Sequence, residues 1–145
     1  MLGNGIDLVE IARIKRLHET GGENFLRRIF TPYERKFLAG KKNPYPSMAA
    51  RFAAKEAVFK ALDLRGRGAS WQDVTVFSLS GGRPTLLLTG IAGRRVKELK
   101  VRRISLSLSH SKELAVASVN MTIAENPPIT GKNTEKYRRK FPGKP

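Results

Sequence analysis

Asp7 stands inside the apolar run Gly5-Ile6-Asp7-Leu8-Val9. Aspartate is a poor strand former, and its carboxylate is costly to bury alone. It therefore either points to solvent from an edge strand or meets a partner or a cation. A second carboxylate, Glu56, lies four residues before Lys60, with Lys55 beside it. On a helix, Glu56 and Lys60 would share a face and form at least an ordinary ion pair, worth about 0.3–0.5 kcal/mol. The same helical wheel puts Lys55 inside the apolar sector, where the plain expectation is a buried stem with the ammonium snorkelling to water. His110 ends a Ser-rich stretch where the chain turns. With no cysteine and two histidines, His18 and His110, the chain has no thiolate nucleophile, no disulfide framework, no Cys-ligated zinc and no His-rich metal site. Any metal would be a hard one held by carboxylates, Mg²⁺ before Zn²⁺, and Asp7 with Glu56 could hold it beside a substrate phosphate.

These residues need elements to place them. Gly5–Ile11 reads as a strand running into a helix, on which Ile11, Ile14 and Leu17 recur at helical spacing until Gly21-Gly22 ends it. Thr31-Pro32-Tyr33-Glu34 is a helix start: a threonine cap, proline at the first position and glutamate closing a capping box. That helix stops at Gly40. Ser47 is then the expected cap of the longest helix, about Met48 to Leu62, with Met48, Phe52, Val58, Phe59 and Leu62 on one stripe. The second half changes period. Val74–Phe77 is strand-like, a Gly81-Gly82 turn leads to a strand at Thr85–Thr89, and residues 91–99 suit a short basic helix. Ile104, Leu106 and Leu108 alternate with serines, and Leu114–Thr122 follows across a tight turn at His110-Ser111-Lys112. The expected fold class is α+β, with helices in the first half packed on an antiparallel sheet.

The chain has 145 residues and 28 Lys+Arg against 12 Asp+Glu, a formal net charge of +16. That length suits one domain, assigned to residues 1–125. Residues 126–145 hold six Lys/Arg, one acid and four prolines, and read as an extended or disordered basic tail. Removing the tail's +5 still leaves +11 on the body. Partners should be anionic: nucleic acid, phosphorylated ligands or an acidic protein. No apolar run reaches the ~20 residues of a membrane span, which makes a cytoplasmic protein the expectation.

Three segments, in order, resemble the holo-acyl-carrier-protein synthases, the small stand-alone 4′-phosphopantetheinyl transferases. Gly5-Ile6-Asp7-Leu8-Val9-Glu10-Ile11, continued by Arg13 and Ile14, is similar to their N-terminal Gly-x-Asp motif. Arg51-Phe52-Ala53-Ala54-Lys55-Glu56-Ala57-Val58-Phe59-Lys60-Ala61 is similar to their Phe-x-x-Lys-Glu-x-x-x-Lys helix. Leu106-Ser107-Leu108-Ser109-His110-Ser111 is similar to a late strand ending in Ser-His.

The resemblance implies transfer of the phosphopantetheine arm of coenzyme A to a serine of an acyl carrier protein, releasing adenosine 3′,5′-bisphosphate. It implies Asp7 and Glu56 as Mg²⁺ ligands, with Asp7, Glu56 and Lys60 as the catalytic residues and Lys60 on the phosphates. Arg51, Pro84 and His110 would join Lys60 in binding coenzyme A. Arg13, with Arg16 and Arg28, would meet the acidic carrier, and the sites would lie between subunits of a homotrimer. Past Lys60 the family usually has Gly-Thr-Gly, whereas this chain reads Asp63-Leu64-Arg65-Gly66-Arg67-Gly68. Two other readings stay open. An inactive family member would only bind carrier protein. A nucleic-acid binder would use Tyr137 and Phe141 among Arg138, Arg139 and Lys140, but it leaves Asp7, Lys55 and Glu56 unexplained.

Overall fold

Alternation and capping place the first elements almost where the sequence puts them. The computed structural model describes residues 2–123; the basic tail assigned to residues 126–145 lies outside them. Strand β1 (Leu2–Glu10) passes directly into helix α1 (Ile11–Ile29), followed by α2 (Pro32–Ala39) and α3 (Tyr45–Ala61). A 3-10 turn (Trp71–Asp73) leads into the hairpin β2 (Val74–Ser78) and β3 (Pro84–Leu88). Helix α4 (Gly90–Glu98) and the hairpin β4 (Val101–His110) and β5 (Leu114–Ile123) complete the described chain. The fold is α+β, as expected. Its antiparallel strands form two sheets rather than one, β1-β5-β4 and β2-β3.

Two helix boundaries differ from expectation. Gly22 does break α1, taking φ 54°, ψ −136°, but helix resumes beyond it to Ile29. The glycine pair is thus a kink, with Ile29 and Phe30 burying the far segment. Helix α3 begins at Tyr45, a turn earlier than Met48, with Pro46 in its first turn; Ser47 is inside the helix and caps nothing. Proline is tolerated there because first-turn N–H groups have no helical partner.

Helix α3 is the core of the molecule. The stripe of Met48, Phe52, Val58, Phe59 and Leu62 is buried, and so are Ala49, Ala50, Ala53, Ala54 and Ala57 on its other faces. Alanine-rich flanks let neighbouring backbone come close. A β-carbon built at Gly5 would lie 1.9 Å from the Ala57 carbonyl oxygen, so β1 can lie on α3 only with glycine at this position. Odd-numbered β1 residues face α3, while Ile6 and Leu8 project from the other face, 63% and 61% exposed. On that face Ile6 pairs with Ser118 and Leu8 with Val116.

Candidate active site

The close contact at Gly5 sets the position of Asp7, two residues further along the same strand face. Its carboxylate does not point to solvent. Asp7 Oδ1 accepts a hydrogen bond of 2.7 Å from Lys60 Nζ, which also donates to the Ile6 carbonyl at 2.8 Å. Although β1 is an edge strand, the Asp7 side chain is only 17% exposed.

Glu56 is one helical turn before Lys60, yet the two do not form the expected pair. Lys60 is drawn to Asp7, and Glu56 Oε2 instead accepts a 2.9 Å bond from Arg65. Arg65 comes from the segment that departs from the family's Gly-Thr-Gly, and its role was not read from the sequence. That segment keeps its turns by other means. Asp63 takes φ 52°, a left-handed conformation that aspartate tolerates better than most residues, and Gly66 and Gly68 take φ 75° and 76°. Glu56, Phe59, Leu64, Arg65, Gly68 and Trp71 line a cleft of about 510 Å³. Trp71 stacks on Phe59 with ring centroids 4.8 Å apart, giving the cleft an apolar part beside the charged Glu56 and Arg65.

Lys55 overturns the snorkelling expectation. It is 0% exposed, as is Glu34, and their side chains form an ion pair of 2.9 Å. Its ammonium also donates to the carbonyls of Trp71 and Val74. Desolvation pushes the Lys55 ammonium below the ordinary lysine range; Glu34 opposes this and Arg51 adds to it. In the sequence, Glu34 signals only a capping box. It does close that box, but it is also the counter-ion of the long helix's buried lysine.

The other expected site residues are dispersed. Arg51 is buried with its guanidinium 4.0 Å from the Phe37 ring centroid, and its Nε has no hydrogen-bond partner among the described residues. Desolvation lowers its pKa, with Glu34 and Tyr33 opposing. Pro84 lines a separate groove with Arg83, Thr85, Ile104 and Ser105, which shares no residue with the Glu56 cleft. His110 is exposed at the end of β4, its Nδ1 3.2 Å from the Ser111 carbonyl oxygen. Arg13, Arg16 and Arg28 are exposed along α1, with Arg13 6.0 Å from the Phe52 ring centroid. Tyr137 to Phe141 lie outside the described residues. One protomer thus joins Asp7 to Lys60, and joins Glu56, one turn earlier on the same helix, to Arg65; Pro84 lines a different groove and His110 stands at the end of β4.

Comparison with known proteins fixes the family. A profile of the 4′-phosphopantetheinyl transferase superfamily matches residues 3–119. The chain belongs to this superfamily. It is 45% identical over 120 residues to the holo-[acyl-carrier-protein] synthase of Solibacter usitatus, covering 82% of this chain and 96% of that protein. The crystal structure of Helicobacter pylori holo-[acyl-carrier-protein] synthase in complex with coenzyme A superposes with a TM-score of 0.72 at 30% identity, covering 82% of this chain and 99% of that one. A Bacillus anthracis synthase structure, also a coenzyme A complex, gives 0.66 at 35% identity, covering 82% and 94%. Superfamily membership accounts for the resemblance of all three motifs. Among the described residues no helix is long and apolar enough to cross a membrane.

Proposed function

We propose that this chain transfers the 4′-phosphopantetheine group from coenzyme A to a serine of an apo acyl carrier protein, with Mg²⁺ as cofactor, giving holo carrier and adenosine 3′,5′-bisphosphate. The observation that carries the reading is the 2.7 Å contact between Lys60 and Asp7, which joins α3 to β1 one helical turn beyond Glu56.

The donor set suits Mg²⁺. Two carboxylates come from adjoining elements, each countered by a basic side chain. Among the described residues no third His, Cys, Asp or Glu completes a closed cage. Mg²⁺ is commonly held by one or two carboxylates with substrate phosphate and water filling its other positions. Asp7 and Glu56 would hold the ion, which when bound neutralises charge on the pyrophosphate. Lys60 would turn from Asp7 to the phosphates and stabilise the departing bisphosphate. Arg65 would be released from Glu56, leaving a cation at the cleft rim.

Pro84 and His110 lie away from this cluster, so the coenzyme-binding role assigned to them calls for a site completed by another subunit. Ile6 and Leu8, exposed side by side on one sheet face, support burial in an interface between copies, which the family resemblance would make a homotrimer. Arg51, its Nε without a partner among the described residues, would reach toward a coenzyme phosphate by shifting off Phe37. The exposed cations Arg13, Arg16 and Arg28 would orient an acidic carrier protein, and the work would be done in the cytoplasm.

The test is to incubate the chain with coenzyme A, Mg²⁺ and an apo carrier protein and weigh the carrier by mass spectrometry. A gain of one phosphopantetheine, abolished by a chelator and restored by Mg²⁺, is expected. An unchanged carrier would overturn the transfer reading and leave the inactive-binder and nucleic-acid readings.

A further inference from the structure

Lys55 precedes Glu56 in the motif helix, and its charge invites assignment to the substrate phosphates. Its geometry forbids that. All three ammonium protons are spoken for, by Glu34 Oε2 at 2.9 Å, the Trp71 carbonyl at 2.9 Å and the Val74 carbonyl. The residue is 0% exposed. Its counter-ion is equally committed: Glu34 Oε2 also accepts from the Thr31 N–H at 2.8 Å, and Oε1 accepts from the Val76 N–H at 2.9 Å. No donor of Lys55 is left for an anion, and no path leads one to it.

We propose that Lys55 and Glu34 together form a positioning pair that sets the width of the transfer cleft and the direction of Glu56. The inference rests on the transfer reaction proposed above. Consecutive side chains on a helix point about 100° apart, so anchoring Lys55 fixes the rotation of α3 that aims Glu56 into the cleft. Trp71, whose carbonyl Lys55 holds, lines the same cleft, its ring stacked on Phe59. One ammonium thus ties the helix bearing Glu56 to the Trp71 segment that also lines the cleft, and Glu34 ties both to the start of α2 and to β2. An ion pair with every partner satisfied gives a single arrangement, and misplacing a reacting group by about 1 Å can cost 10²-fold in rate.

The test compares Lys55→Met, Glu34→Gln and the double variant with the wild-type chain, with coenzyme A and an apo carrier as substrates. Rates are expressed per folded molecule, measured by circular dichroism well below each melting transition. A positioning pair predicts that each single variant loses roughly tenfold or more in kcat with KM for coenzyme A unchanged. The double variant should be no slower than the slower single, because both act through one link. Glu34→Gln is the decisive case and stands alone if Lys55→Met does not fold, since Glu34 sits on α2 and reaches the cleft through Lys55. Wild-type kcat in folded Glu34→Gln would overturn the proposal, reducing the pair to a stabilising contact. A raised KM for coenzyme A in Lys55→Met alone would overturn it in favour of a ligand contact. Failure of the wild-type chain to modify the carrier would instead overturn the transfer reading, and this inference with it.

Discussion

Lys60 reaches across 53 positions of sequence to place its ammonium 2.7 Å from Asp7 Oδ1, joining the first strand to the last turn of the third helix. This bond stabilises little in itself, because the Lys60 side chain is 42% exposed and water screens the pair. Its importance is positional. It puts the acid of the first motif and the distal lysine of the second in one small volume, as the proposed metal-assisted phosphoryl chemistry would require.

Asp7→Asn and Glu56→Gln are nearly isosteric and touch no core contact, so both should fold with melting temperatures near wild type. Each removes a carboxylate charge from the proposed metal site, and transfer should fall on the order of 10²–10³-fold. The check is holo-carrier formation by mass spectrometry across a Mg²⁺ titration. Near-wild-type turnover of Glu56→Gln at saturating Mg²⁺ would rule out this metal site.

Lys60→Met keeps the stem and deletes the charge. If the ammonium acts on phosphate in the transition state, kcat and kcat/KM should drop together, roughly 10²-fold, without a matching rise in KM for coenzyme A. Steady-state kinetics separate this from loss of simple ground-state binding, which would raise KM and spare kcat.

How far the sequence led is clearest in α3. The glutamate and lysines of its motif were legible because residue type and four-residue spacing carry them. Their partners were not. Helical spacing argued for Glu56 with Lys60, but an exposed pair of that kind is worth only about 0.3–0.5 kcal/mol, so nearby groups from other elements easily replace it. Asp7 and Arg65 did so. Lys55 was misread for a related reason. Its counter-ion lies on another helix, in a residue whose local capping role already explained it, and nothing in the spacing joins positions 34 and 55. The capping box itself was legible because it is local. Gly22 was read as an end because glycine breaks helices, but the burial of Ile29 and Phe30 that pulls the chain back into helix is a tertiary effect.

Gly5→Ala should fail on packing rather than chemistry. The added methyl would sit 1.9 Å from the Ala57 carbonyl oxygen and 3.0 Å from the Ala61 nitrogen, both backbone atoms of a buried helix. Neither can move without lifting β1 off α3, so a destabilisation of about 3 kcal/mol is expected. Denaturant melts would measure it. Transfer should suffer as well, because Asp7 rides on the displaced strand.

Arg13→Glu tests where the carrier docks. The side chain is exposed on the first helix, and reversal there would set like charge against an acidic partner. KM for the carrier should rise roughly tenfold while KM for coenzyme A holds steady, and the effect should shrink at high salt. Equal changes in both constants would move the carrier surface elsewhere.

Leu8→Glu addresses the assembly. Leu8 is 61% exposed beside Ile6 and opposite Val116, on the sheet face that turns away from α3. A charge at this position costs the isolated protomer little, since the side chain already meets water. Buried between subunits it would lose its hydration without a partner, and the interface should not form. Light scattering should therefore find three copies for the wild-type chain and one for Leu8→Glu, with circular dichroism unchanged. If Pro84 and His110 reach the coenzyme from a neighbouring subunit, the monomeric variant should also lose transfer even though Asp7, Glu56 and Lys60 remain in place. A folded monomer with full activity would mean that one protomer suffices, and that the separation of Pro84 and His110 from the Glu56 cleft excludes them from the reaction.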